Sequence, residues 1–339
     1  MWRGHEQLRY APSAGARPCR EERQRQLMNY VLITSARNEE AVIRETLESV
    51  AAQTRLPERW VVVDDGSTDR TAAIVQEYCE RYTWIDLVRR PARVERSFAG
   101  KANAVNMALE RIRAAGLIFD VVGNLDADVS FEADYMEFLL AKFAENSKLG
   151  VAGTPFTQEG GYDSTRDSFE GQNYVAGPCQ LFRDQCFRDI GGYVANHAGG
   201  VDWIAVMTAR MKGWTVTAFP EKRFHHHRSM GTAERGRVKA MFSYGEKDYY
   251  LGGSPLWQVV RSGYQTTKRP LVVGGLALFA GYTSAALSRM PRAVSPELMR
   301  FHRAEQMRKL RAVLGSLSRF KKVDAFRLEH QPKEQGKRV

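Results

Sequence analysis

Four short strand-like runs, apolar at 30–33 and 60–63 and mostly apolar at 85–88 and 119–125, are separated by stretches of helical spacing. The runs are rich in β-branched and aromatic side chains, which suit a pleated surface. In the first interval Ile43, Leu47, Val50 and Ala51 recur on one helical face; in the second, Ala72, Val75, Cys79 and Tyr82 do. Residues 102–112 predict a third helix. A strand that is apolar throughout must be covered on both faces, and strand–helix alternation achieves this with a mostly parallel sheet. The expectation is an α/β chain with helices on both faces of the sheet. Asn38, Glu39 and Glu40 read as an N-cap and an acidic first turn.

The acids fall where such a sheet binds ligands, outside the carboxyl ends of its strands. Asp64-Asp65-Gly66-Ser67 ends the second run and Asp126-Ala127-Asp128 the fourth. Two carboxylates flanking one small residue can share a hard divalent ion and its phosphate ligand; capping or turn formation is the plainer use of such acids. Beyond about residue 150 the alternation weakens. Residues 160–177 read as loops, 202–212 as a helix closed by Gly213, and 214–227 as extended chain. That extended chain ends in His225, His226 and His227. In a strand His226 points away from its two neighbours, and one of the three can complete a metal site begun by Asp128.

Charge is unevenly distributed. The chain has 339 residues and a formal net charge of +11, which raises nucleic acid or an anionic membrane as partners. Residues 29–260 hold 27 Lys/Arg against 31 Asp/Glu, whereas 261–339 hold 17 against 5. The basic part is therefore an appendage, not the core. It includes 271–287, seventeen residues without a charge, at the short limit for a spanning helix. Basic residues on both sides favour membrane contact; a buried helix of a soluble fold is the alternative. Residues 297–322 fit an amphipathic helix on an anionic surface, or a helix packed on the core. The four cysteines form no CxxC pair, which excludes a zinc ribbon and fits a reducing compartment. Residues 1–27 are Arg-rich without an apolar stretch, so they read as a disordered arm and not a secretory signal; Met28 is an alternative start. The expected domains are this arm, a catalytic domain over 28–232 and a helical, basic, membrane-associated region over 233–339.

Six segments in order resemble the family 2 glycosyltransferases, which have the GT-A nucleotide-sugar fold. They are Ile33 through Glu40, ending in Asn-Glu-Glu; Val63 through Asp69, containing DDGSTD; and Gly100 through Asn106, GKANAVN. Then come Asp126-Ala127-Asp128, the stretch from Gly177 to Gly192, and Val201-Asp202-Trp203, where the family usually has Glu-Asp. The resemblance implies that Ala36 and Glu39 line the base pocket and that Asp64 or Asp65 bonds the uracil or ribose. It implies Lys101 near the nucleotide, Asp126 on the ribose and sugar side, and Asp128 with His226 as ligands of Mg²⁺ or Mn²⁺. Asp202 is the implied general base of an inverting transfer, despite the missing first acid of the pair.

No Q-x-x-R-W motif follows, which separates the chain from the processive synthases. The expected activity is metal-dependent transfer from a nucleotide sugar, a UDP-sugar foremost, to a hydroxyl acceptor. A lipid-linked acceptor at the cytoplasmic side of the inner membrane, in cell-envelope or exopolysaccharide synthesis, would use the basic, apolar tail. Two other classes compete: a sugar-nucleotide nucleotidyltransferase, whose Gly-rich opening loop is missing here, and a non-enzymatic basic protein binding membrane or nucleic acid.

Overall fold

The computed structural model describes residues 28–91, 98–158, 162–164, 171–196, 199–227 and 236–317. The arm at 1–27 and the stretch 318–322 lie outside the described residues.

The apolar runs become strands β1 (Tyr30–Ala36), β2 (Arg59–Asp64), β3 (Ile85–Arg89) and β4 (Val121–Leu125). The first two intervals give helices α1 (Ile43–Ala51) and α2 (Thr71–Arg81), and the third gives α3 (Phe98–Ala114). A short β5 (Val129–Ser130) precedes α4 (Tyr135–Glu145). Strands β6 (Leu149–Gly153), β7 (Phe156–Gln158), β8 (Tyr162–Asp163) and β9 (Cys179–Arg183) follow. Helices α5 (Asp184–Asp189) and α6 (Val201–Met211) then lead to β10 (Thr215–Ala218) and β11 (Phe224–His226).

The main sheet has seven strands in the order β10-β6-β9-β4-β1-β2-β3. It is parallel except at β9, which runs antiparallel to both β4 and β6. One apolar cluster, with Leu32, Trp60, Val62 and Leu125, covers one face; a second, with Val31, Ile33, Val61 and Val122, covers the other. Successive residues of β1 and β2 thus feed opposite layers, which is why these runs are apolar at every position. Buried Trp60 keeps its polar end satisfied by donating from Nε1 to the Thr34 hydroxyl at 3.0 Å.

Three expectations change. The buried face of α2 runs through Thr71, Ile74, Val75 and Tyr78, with Cys79 only half-buried, so the apolar stripe is turned by about one residue. The extended stretch 214–227 is two strands in two sheets: β10 pairs with β6, while β11 joins a four-stranded sheet in the order β5-β11-β7-β8. That switch of sheet carries the histidines to the end of β4.

After residue 236 the described chain is helical: α7 (Arg237–Tyr250), α8 (Pro255–Gln265), α9 (Val273–Leu287) and α10 (Pro296–Leu317). No described helix is long and apolar enough to cross a membrane. The third change concerns α10, which packs on α6. Leu298 joins Trp203, Ile204 and Met207 in a third apolar cluster, and Arg210 meets Glu305 at 2.7 Å. Of the two placements expected for this segment, packing on the core accounts for Leu298 and Leu310, which are buried in the molecule, while Leu314 stays exposed.

Candidate active site

The site begins where β1 and β2 end side by side. The Asp65 amide donates to the Ala36 carbonyl at 2.9 Å. The loops that follow are laced together. Asn38 Oδ1 accepts from the Thr68 amide at 2.8 Å, the Glu39 amide donates to Thr71 Oγ1 at 2.8 Å, and Glu40 Oε2 accepts from the Arg70 amide at 3.0 Å. Asn38 therefore does not cap α1. It adopts a left-handed conformation, φ 54°, and spends its side chain on the neighbouring loop, while α1 starts after Val42 with no side-chain cap. Asp64 Oδ1 accepts the Ser67 amide at 3.0 Å and so holds the turn through Gly66. Asp65 is buried against Arg90 at 2.9 Å, and Arg90 also reaches the Gly100 carbonyl at 3.3 Å, tying this loop to α3. Asp69 lies behind the loop. Burial pushes its carboxyl up, but hydrogen bonds from Thr71 and the Glu40 amide outweigh this and hold it below the usual range.

Lys101, on the first turn of α3, pairs with Asp126 just past β4. Burial by itself would lower the Lys101 ammonium. The charges of Asp126, then Asp202 and Asp128, outweigh it and hold the ammonium above its ordinary value. The cation thus feels three carboxylates from two parts of the chain, the turn after β4 and the start of α6. For Asp126, burial and the neighbouring Asp128 push the carboxyl up against the pull of Lys101 and His226.

His226, on β11, pairs in register with Val129 of β5, directly after Asp128. Its Nε2 lies 3.4 Å from Asp128 Oδ1, and both side chains are buried. The other ring nitrogen, Nδ1, is 2.7 Å from Gln158 Nε2. His225 and His227 face away, edge to face at 4.7 Å, with His227 next to Ser130 and Glu45. Adjacent ligands on an octahedral ion with bonds of about 2.1 Å stand about 3 Å apart, so Asp128 and His226 fit one Mg²⁺ or Mn²⁺ as neighbouring ligands. Ligation by Nε2 needs the proton on Nδ1, which Gln158 accepts through Oε1 once its amide is turned over. No group of three or more His, Cys, Asp or Glu side chains arranged around an ion is present among the described residues. The remaining positions would fall to diphosphate oxygens and water, the usual arrangement for Mg²⁺.

Asp202 lies in the first turn of α6. The N-cap is Gly200, φ 78°, and no side chain caps the helix, so Asp202 is not spent on capping. Its Oδ2 accepts the Tyr174 hydroxyl at 3.0 Å. A Cβ at Gly177 would come within 2.6 Å of the same oxygen, which is why this position is glycine. Gly177 is in turn fixed to the end of β4: its carbonyl accepts from Asn124 at 3.1 Å, and the next carbonyl, Pro178, accepts the Asp126 amide at 2.8 Å.

Ala36, Glu39, Asp64 and Asp65 therefore form one wall, and Lys101, Asp126, Asp128, Asp202 and His226 a cluster beside it. Arg90, Gln158 and Tyr174 were not singled out in the sequence. Each supports a partner more than 20 residues away along the chain, and no local pattern marks such a residue.

Residues 31–194 match the family model "Glycosyl transferase family 2". Over 116 residues the chain is 34% identical to beta-monoglucosyldiacylglycerol synthase of Synechocystis sp., covering 33% of this chain and 22% of that protein. Over 121 residues it is 34% identical to poly-beta-1,6-N-acetyl-D-glucosamine synthase of Staphylococcus epidermidis, covering 35% and 26%. The matched part thus spans about a quarter of the length of these relatives. Among solved structures it resembles the mannosyltransferase PcManGT from Pyrobaculum calidifontis in complex with GDP-Man and Mn²⁺, with TM-score 0.52, 17% identity and coverage of 89% and 87%. It also resembles S. aureus TarS in complex with UDP-GlcNAc, with TM-score 0.51, 17% identity and coverage of 88% and 90%. The mixed seven-stranded sheet is that of the GT-A fold, and residues 31–194 carry the match to glycosyl transferase family 2.

Proposed function

We propose that this chain transfers a sugar from a nucleotide sugar to a hydroxyl acceptor, with inversion at the anomeric carbon and Asp202 as general base. The observation that carries the reading is the gathering at the end of β4 of the Lys101–Asp126 pair, the Asp128–His226 pair and, across Gly177 and Pro178, Asp202. The wall formed by Ala36, Glu39, Asp64 and Asp65 would take the nucleoside, with Asp64 keeping one oxygen for the turn and the other for the ligand. Asp126, paired with Lys101, faces the ribose and sugar side. Asp128 and His226 would hold Mg²⁺ or Mn²⁺, which when bound neutralises the leaving diphosphate as a Lewis acid.

Asp202 takes the proton from the acceptor hydroxyl as it attacks. A carboxylate suits this task, because the hydroxyl acidifies only as the new bond forms. The Tyr174 hydroxyl, which donates to Asp202 Oδ2 at 3.0 Å, fixes where that carboxylate sits. A UDP-sugar is the donor the resemblance implies. The two curated relatives are synthases of a glycolipid and of a glycan, which supports a lipid-linked or glycan acceptor in the cell envelope. A thermal-shift panel of nucleoside diphosphates and nucleotide sugars, with and without Mn²⁺, tests the reading. The expected result is stabilisation by one nucleoside diphosphate that is enhanced by Mn²⁺; no stabilisation by any of them contradicts it.

A further inference from the structure

Helices α8 and α9 are built inside out. On α8 the large apolar side chains Leu256, Val259, Val260 and Tyr264 face solvent at helical spacing, while the buried positions are Gln258 and Ser262. Gln258 is 1% exposed and donates to the Leu278 carbonyl at 3.2 Å. On α9, Val273, Leu276 and Phe279 are exposed, Leu276 by 61%. The buried face of α9 is largely small: Gly274, Gly275, Gly281 and Ala285, with Leu278 and Tyr282. A Cβ at Gly281 would stand 2.0 Å from the Phe242 carbonyl oxygen, and one at Gly275 2.4 Å from that of Ser262. The α9 backbone thus lies directly against α7 and α8. Between the two helices, Leu271 and Val272 are exposed as well, so the apolar surface continues through the connection.

Water drives large apolar groups inward, and a hairpin that turns them outward while burying glycine and glutamine has the pattern of helices that face lipid. The segment that builds it carries charge of one sign; Arg261 on α8 is paired with Asp248 of α7. From Tyr249 to Pro296 there is no Asp or Glu, and there are five Lys/Arg. Lys268 and Arg269 stand before α9 and Arg289 just after it. Fifteen residues of α-helix reach only about 22 Å, short of the roughly 30 Å hydrocarbon core. A helix of this length lies in the interface, with basic side chains at both ends among headgroups.

We infer that the exposed apolar side of the α8–α9 hairpin is a docking surface for a bilayer containing anionic lipids, entered parallel to the membrane plane. A second copy of the chain fits the surface less well, because it would bring two acid-free basic segments together. The inference is independent of which reaction the site performs.

Flotation of the full chain with phosphatidylcholine vesicles, with and without 30% phosphatidylglycerol, tests it, alongside the double variant Leu276→Glu/Phe279→Glu. Both substituted side chains are solvent-facing, so the variant is expected to keep the wild-type melting profile and nucleoside-diphosphate response. Wild type is expected to float with the anionic vesicles, to float at least tenfold less with the neutral ones, and to lose binding at least tenfold in the variant. Equal flotation of variant and wild type would overturn the inference. So would no flotation of the wild type, or a wild-type dimer that the variant converts to monomer. A variant that melts early is replaced by Val259→Ser/Leu276→Ser, read the same way. Nucleotide binding with no flotation would sink the docking surface alone; flotation with no nucleotide binding would sink the proposed reaction alone.

Discussion

At the scale of single residues, the site depends on side chains that are held as much as on those that would react. Asp202 has one named partner, Tyr174, and no capping duty. Tyr174→Phe removes the donor that holds the Asp202 carboxylate in place while keeping the ring, and is expected to lower kcat by about tenfold through lost orientation of the base. Steady-state kinetics should show KM for the donor unchanged. The buried thiols make a second prediction. Burial pushes Cys179 and Cys186 from the usual 9.0 up to about 12. Below pH 9 neither the folded nor the unfolded chain ionises there. Between pH 9 and 12 the unfolded thiols lose protons that the folded ones keep, so stability falls as pH rises through that window. Melting temperature measured against pH should decline from about pH 9, and Cys179→Ala should flatten the decline. Asp64, Asp65, Asp126 and Asp128 were legible as site candidates because each sits at the end of an apolar run. Tyr174 was not, because its role exists only once the loop before β9 meets α6.

Among the elements, those with the clearest periodicity were readable in advance. β1, β2, β3 and β4 with the helices between them are local patterns; β1, β2 and β4 are buried on both faces, while β3 forms the sheet edge and buries only Ile85. The antiparallel β9 was not readable, since one reversed strand in a parallel sheet is decided by pairing with β4 and β6 rather than by its own residues. Nor was the break between β10 and β11, where one extended stretch serves two sheets. The helical end shows why an apolar stretch alone is ambiguous. Residues 271–287 do form a helix over most of their length, but its glycines mark the buried side, shared with Leu278 and Tyr282, and Val273, Leu276, Phe279 and Leu287 are exposed. Gly245 on α7 faces the same crossing: a Cβ there would lie 2.0 Å from the Leu278 carbonyl oxygen. Backbone cannot yield as a flexible side chain can, so Gly245→Val is expected to cost at least about 1–3 kcal/mol. Denaturant melts of the full chain would show it, and an unchanged midpoint would mean that the crossing is not tight.

Across the whole molecule, charge and chemistry are divided between two regions. The net charge of +11 comes from residues beyond 260, while the residues around the candidate site are acidic. That split was visible in the sequence, but which helix met which surface was not: α10 turns its apolar side to α6, leaving the α8–α9 hairpin exposed. α6 thus links the two regions, with Asp202 in its first turn and Arg210 bonded to Glu305 of α10. Chelation by EDTA is expected to abolish transfer and Mn²⁺ to restore it, and Asp128→Ala is expected to weaken diphosphate binding in Mn²⁺ but not in its absence. Calorimetry of nucleoside diphosphate binding would separate the two. The most direct test is a comparison of wild type with Asp202→Asn, reading donor affinity by calorimetry and transfer of radiolabelled sugar into host membrane extract. If Asp202 is the general base, donor Kd is unchanged and transfer falls at least a hundredfold, within the range for loss of a general base. Transfer by Asp202→Asn within a few fold of wild type, with donor binding intact, would contradict that role.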